Sequence, residues 1–189
     1  MAVLIIGLAL FLGVHSVALA APGFRSRAIG RMGEGPWKGL YAAVSAVGLV
    51  LILYGFHLAR RYPMVLYTPP GWLRDVTALL MLPVFPLLFA AYLPGRIKAA
   101  MKHPLLAAVK FWAFAHLLSN GTLADVLLFG GFLAWAVIDR ISLKRRVQTV
   151  PAMSAGRFND VISLVLGLAL YVLFVAWAHV RLFGVSPLG

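Results

Sequence analysis

The side chains in this sequence with ligand chemistry at neutral pH are five histidines, His15, His57, His103, His116 and His179. A neutral imidazole is a frequent ligand of metals and of haem iron, and helix-bundle cores are a common place for such sites. There is no cysteine, which excludes disulfides, thiolate metal ligands and cysteine nucleophiles. His15 and His116 are the most demanding of the five. Each sits deep in an apolar run, "LFLGVHSVALA" and "KFWAFAHLL", where an ionisable group is expensive and marks a functional candidate. Two such histidines with few carboxylates favour haem over zinc. Zinc wants three or four protein ligands, whereas haem iron needs one or two. The spacing alone suits a satisfied structural histidine equally well.

The remaining polar groups have plainer readings. His57 and His179 lie close to Arg60 and Arg181, as polar-tipped aromatics do at a membrane interface. His103, in "KHPLL", stands just before Pro104, a residue suited to the first helical position. Lys110 follows His103 by seven residues and shares its helical face. It can snorkel, pair with Asp125, or meet an anionic ligand. Trp112 is one turn before His116 on the same face, so it would line a pocket built there. Asn159 and Asp160 read as caps of the last helix, and Asp139 and Arg140 as the close of the fifth.

Membrane helices must position these groups. The 189 residues are 62% hydrophobic and 12% charged, with mean hydropathy +0.95. A soluble domain is nearer half apolar and a quarter charged. Apolar stretches long enough to cross a hydrocarbon core of about 30 Å recur along the chain. They place helices at about 2–21, 37–59, 72–93, 103–118, 122–138 and 158–182. The expectation is an all-α transmembrane bundle of about six spans forming one domain over 1–189. "SNGT" joins the short fourth and fifth helices as a hairpin, either spanning or re-entrant, and Pro83 and Pro86 predict a kink in the third.

The charge pattern gives the sidedness. Twelve Lys and Arg residues fall in the loops 22–38, 94–102 and 139–157, against Arg60, Arg61, Arg74 and Arg181 in the alternate positions. Basic loops stay in the cytoplasm, so both termini are expected outside. The net charge of +12 is thereby used for orientation, and no nucleic-acid partner is expected. "ALAAPG" at 18–23 looks like a signal-peptidase site, but a secretory signal carries positive charge before its apolar stretch. Here "MAVLII" has none and the charge follows, so residues 1–21 are expected to remain as a helix.

Several segments together resemble the NnrU family: "GVHS" at 13–16, "GEGPWKGLYAAVS" at 33–45, "PPGWLRD" at 69–75, "LPGRIKAAMKHPLLAAVKFWAFAHLLSNG" at 93–121 and "LLFGGFLAWAVIDRISLKRR" at 127–146. The resemblance implies a bacterial inner-membrane protein associated with nitric oxide and nitrite metabolism in denitrification. It extends to the plastid ζ-carotene isomerase, a haem b membrane enzyme sharing this domain. Its two histidines implicated in haem ligation fall on His15 and His116, and its "RHP…AH" segment also matches His103. A cysteine of the isomerase falls on Ala113, so redox-switched isomerisation is not implied here.

Four functions follow. The first is a haem b protein serving nitrogen-oxide metabolism, and the second a haem-dependent isomerase of a lipophilic polyene. The third is an S-adenosylmethionine-dependent methyltransferase, prompted by "HP" at a helix head. The fourth is a non-catalytic partner of respiratory or denitrification proteins. The cofactor expectation is haem b on His15 and His116, with His103, Trp112 and Lys110 as further binding residues.

Overall fold

A computed structural model describes residues 1–145 and 156–188. Arg146, one of the twelve basic loop residues, lies outside them. The helices are α1 (Ala2–Ala20), α2 (Pro22–Met32), α3 (Glu34–Ala59), α4 (Leu73–Met81), α5 (Val84–Tyr92), α6 (Arg96–Met101), α7 (Pro104–Ser119), α8 (Leu123–Arg145), α9 (Asn159–Leu173) and α10 (His179–Phe183). A π-helical turn, Phe174–Ala178, joins the last two. Five helical segments are long and apolar enough to cross a membrane, Ala2–Ala20, Glu34–Ala59, Leu73–Tyr92, Leu123–Arg145 and Asn159–Phe183, with α7 shorter. Side chains in the middle of these segments, such as Val50, Leu53, Leu79, Val165 and Val172, are more than half exposed to the surroundings. Such an apolar exterior needs lipid as its solvent.

Contacts sort the connections into two ends. One end gathers Asp160 with Arg96 and Ile97, and His103 near Asp139 and Arg140. The other joins Arg60 to the Phe183 carbonyl and Leu66 to Gly121. The basic loops lie at the first, here termed inner, end. The expected hairpin forms from α7 and α8, which pack along each other. Thr122 and Asp125 close its turn as a capping box: the Asp125 carboxylate accepts from the Thr122 N–H at 3.0 Å and hydroxyl at 2.6 Å, and the Asp125 N–H returns to the hydroxyl at 3.3 Å.

Glycines set the closest helix pair. A Cβ on Gly7 would meet the Ile52 nitrogen at 2.6 Å, and one on Gly48 the Phe11 nitrogen at 2.9 Å. Lipid tails are as apolar as leucine, so close backbone approach through small residues replaces the hydrophobic drive between membrane helices. The expected kink falls at Pro83, which separates α4 from α5. Pro86 occupies the third residue of α5, where an N–H has no intrahelical acceptor to lose.

Several expectations are corrected. Residues 22–32 form a helix, α2, where a loop was expected; it lies between two spans and none of its residues is buried. The fifth span continues to Arg145, so Asp139 and Arg140 sit within α8 and do not end it. Asp160 does not cap its own helix, whose N-cap is Phe158 without a side-chain bond. Its carboxylate instead accepts the Arg96 and Ile97 N–H groups at 2.9 and 3.0 Å, capping α6 across the chain. Asn159 similarly turns away, its amide donating to the Pro94 carbonyl at 2.8 Å.

Candidate functional site

His15 and His116 share one local design. The Nδ1–H of His15 donates to the Phe11 carbonyl at 2.7 Å, and that of His116 to the Trp112 carbonyl at 2.8 Å. Each acceptor is four residues back on the same helix. A carbonyl can only accept, so Nδ1 carries the proton and the Nε2 lone pair is left free in the neutral ring. That tautomer and that type of backbone anchor are what a metal-ligating histidine uses.

Their surroundings differ. His15 stacks on Phe11 with ring centroids 4.2 Å apart, and also meets Tyr41 of α3 at 5.2 Å and Trp135 of α8 edge-on at 5.9 Å. It lines a cavity of about 270 Å³ between α1, α2 and α3, together with Trp37, Tyr41, Arg25, Lys38 and Glu34. Lys38 and Glu34 form an ion pair at 2.9 Å, both side chains well exposed. His116 stacks on Phe129 of α8 at 4.7 Å and lies 5.7 Å from Trp112, which is the neighbour its spacing implied. Trp112 also meets Phe132 at 5.4 Å, and Phe132 meets Phe11 at 5.6 Å.

The structure does not place the two imidazoles at one level. Their α8 partners, Trp135 and Phe129, are six residues apart, which is about 9 Å along a helix. Rings of Phe11, Phe132 and Trp112 run between them. One metal atom bound by both would bring the two Nε2 atoms to about 4 Å apart, twice a typical metal–nitrogen distance. The donor chemistry of each histidine therefore fits haem ligation, but joint ligation of one iron does not fit this packing.

The other residues singled out by the sequence spread along the bundle. His103 is at the inner end of α7, its N-cap residue. Burial pushes its pKa down, and the positive charge of Arg140 adds to this while Asp139 partly opposes it. Lys110 makes no ion pair with Asp125 among the described residues; the carboxylate is committed to Thr122 at the outer end of α8. His57 and His179 are at the outer end, His57 beside Arg61 at 3.5 Å and His179 donating to the Val185 carbonyl at 2.7 Å. No group of three or more histidine or acidic side chains could hold a metal ion among the described residues. Ala113, at the position of the isomerase cysteine, is fully buried in the core.

Residues that individual inspection of the sequence passed over complete the inner site. Arg25 reaches it from α2, and Trp37, Lys38 and Tyr41 from the start of α3. Only recognising α2 as a helix would have brought Arg25 beside His15.

No curated protein and no solved structure matches the chain. The NnrU protein family matches it over residues 3–187. With nearly its whole length covered by that match, the chain belongs to the NnrU family.

Proposed function

We propose that this protein is a haem b-binding membrane protein that serves nitrogen-oxide metabolism in a bacterial inner membrane, with both termini on the periplasmic side. The observation that carries the reading is the shared anchoring of His15 and His116. Each spends Nδ1 on its own helix and keeps Nε2 available among aromatic rings. The apolar spans supply the membrane setting; the chain belongs to the NnrU family, and the link to nitrogen oxides is the one that the resemblance implies. His103 and Lys110, spaced along α7, are assigned supporting roles toward the inner surface.

The test is the absorption spectrum of the protein purified from haem-sufficient cells, with its pyridine haemochrome. About one haem b per chain is expected. A colourless protein that stays colourless after incubation with haem b overturns the proposal.

A further inference from the structure

The helix α2 (Pro22–Met32) has a sequence that supplies little to hold it. Pro22 suits its first position, but no side chain caps its N-terminus, no acidic residue stands in its first turn and none of its residues is buried. Gly23 and Gly30 weaken it. Arg27 and Arg31, four residues apart, are a like-charge pair on one face. A helix of 11 residues with these features is marginal in water, so it needs stabilisation from outside the chain.

Its surface has two stripes. Phe24 and Met32 are two turns apart on one face, with Ala28 between them, and are 53% and 43% exposed. Phe24 meets Trp37 edge-on at 6.2 Å, and half of its surface stays open. Arg27 and Arg31 form the adjoining stripe. Both are exposed, and neither makes an ion pair among the described residues. The Arg27 Nε–H donates to the Gly23 carbonyl at 3.2 Å, a contact that uses one of its five N–H donors. On either side, α1 ends at Ala20 and α3 starts at Glu34. Both are apolar spans, so the helix between them sits where hydrocarbon gives way to headgroups.

We propose that α2 lies along the membrane surface and binds anionic phospholipid, with Phe24 and Met32 at the acyl boundary and Arg27 and Arg31 against lipid phosphates. An apolar stripe beside a cationic one is the pattern of an interfacial helix. Guanidinium groups match phosphate through paired N–H donors, and an anionic leaflet attracts them at that level. A soluble acidic partner would meet the arginines but leave Phe24 and Met32 in water, whereas a leaflet covers both stripes. The inference is independent of the haem reading.

The test is hydrogen exchange of the full chain in lipid nanodiscs, made of phosphatidylcholine alone or of an equimolar mixture with phosphatidylglycerol. Amides of residues 22–32 are expected to exchange roughly tenfold or more slowly in the mixture, since each basic side chain near an anionic surface contributes about fivefold. Amides in the middle of α3 should exchange alike in both. The double variant R27Q/R31Q, altered only at exposed positions, should exchange over 22–32 at one rate in the two lipids. Equal wild-type rates overturn the inference, and so does a double variant that keeps the dependence on phosphatidylglycerol. Protection produced by inorganic phosphate in phosphatidylcholine discs overturns lipid as the partner. Protection that follows the number of chains per disc overturns it in favour of a second copy of this chain.

Discussion

His15 and His116 are offset by about 9 Å along α8, one against Trp135 and the other against Phe129. Both belong to helices that run in opposite directions between the same two ends. His15 is five residues before the inner end of α1, and His116 only three before the outer end of α7. The offset therefore follows from where each histidine stands on its helix. It is the reason that a site built from both needs rearrangement.

The close contact of α1 with α3 holds His15 beside Tyr41. Gly48→Val would push its side chain into the Phe11 backbone, where a Cβ alone already comes within 2.9 Å. Overpacking of this kind costs about 1–3 kcal/mol. The expected result is a lower thermal midpoint in detergent together with weakened haem b binding. Gly39→Val on the same helix, where a Cβ meets nothing within 4 Å, should leave both unchanged.

Asp160 ties α9 to the start of α6 by two backbone hydrogen bonds. Removing a capping carboxylate costs about 0.5–2 kcal/mol. Asp160→Ala should lower the unfolding midpoint, and Asp160→Asn, which keeps one acceptor, should lower it less. Both should leave ligand binding at His15 as it was. Differential scanning fluorimetry of the three proteins checks this.

His103 has a pKa below the ordinary histidine value because of burial and the Arg140 charge. The unfolded chain therefore binds a proton more readily than the folded one, and stability falls as pH drops through the unfolded pKa near 6.5. His103→Gln should flatten the dependence of the unfolding midpoint between about pH 5 and pH 7. An unchanged slope in the variant would assign the dependence to other groups.

The sidedness argument makes a direct prediction. A reporter fused after residue 30, within the basic helix α2, should read cytoplasmic, and one fused to the C-terminus should read periplasmic. A cytoplasmic C-terminus would mean that α7 and α8 do not form two separate crossings.

Much of this fold was legible because lipid imposes a simple rule on sequence: each span is a long apolar run. Pro83 announced the α4–α5 break for an equally local reason. The parts that were not legible depend on partners distant in sequence. "PGFRSRAIGRM" reads as a charged loop, since its helix shows no apolar run of its own and buries no residue. Asp160 looks like a cap of α9 because capping is normally local, yet its acceptors face α6. For the site, the apolar neighbours of His15 and His116 were visible in the sequence and the two side chains are half-buried, but their relative depth was not resolved until Trp135 and Phe129 marked it. Arg25 and Lys38 carried no signal beyond positive charge, shared with every inner loop.

The most direct test compares the spectra of wild type, His15→Ala and His116→Ala after equilibration with haem b under identical conditions. The account predicts that the wild type takes up haem b, while His15→Ala or His116→Ala loses or converts the haem spectrum. Two variants that both retain the wild-type spectrum would contradict the account.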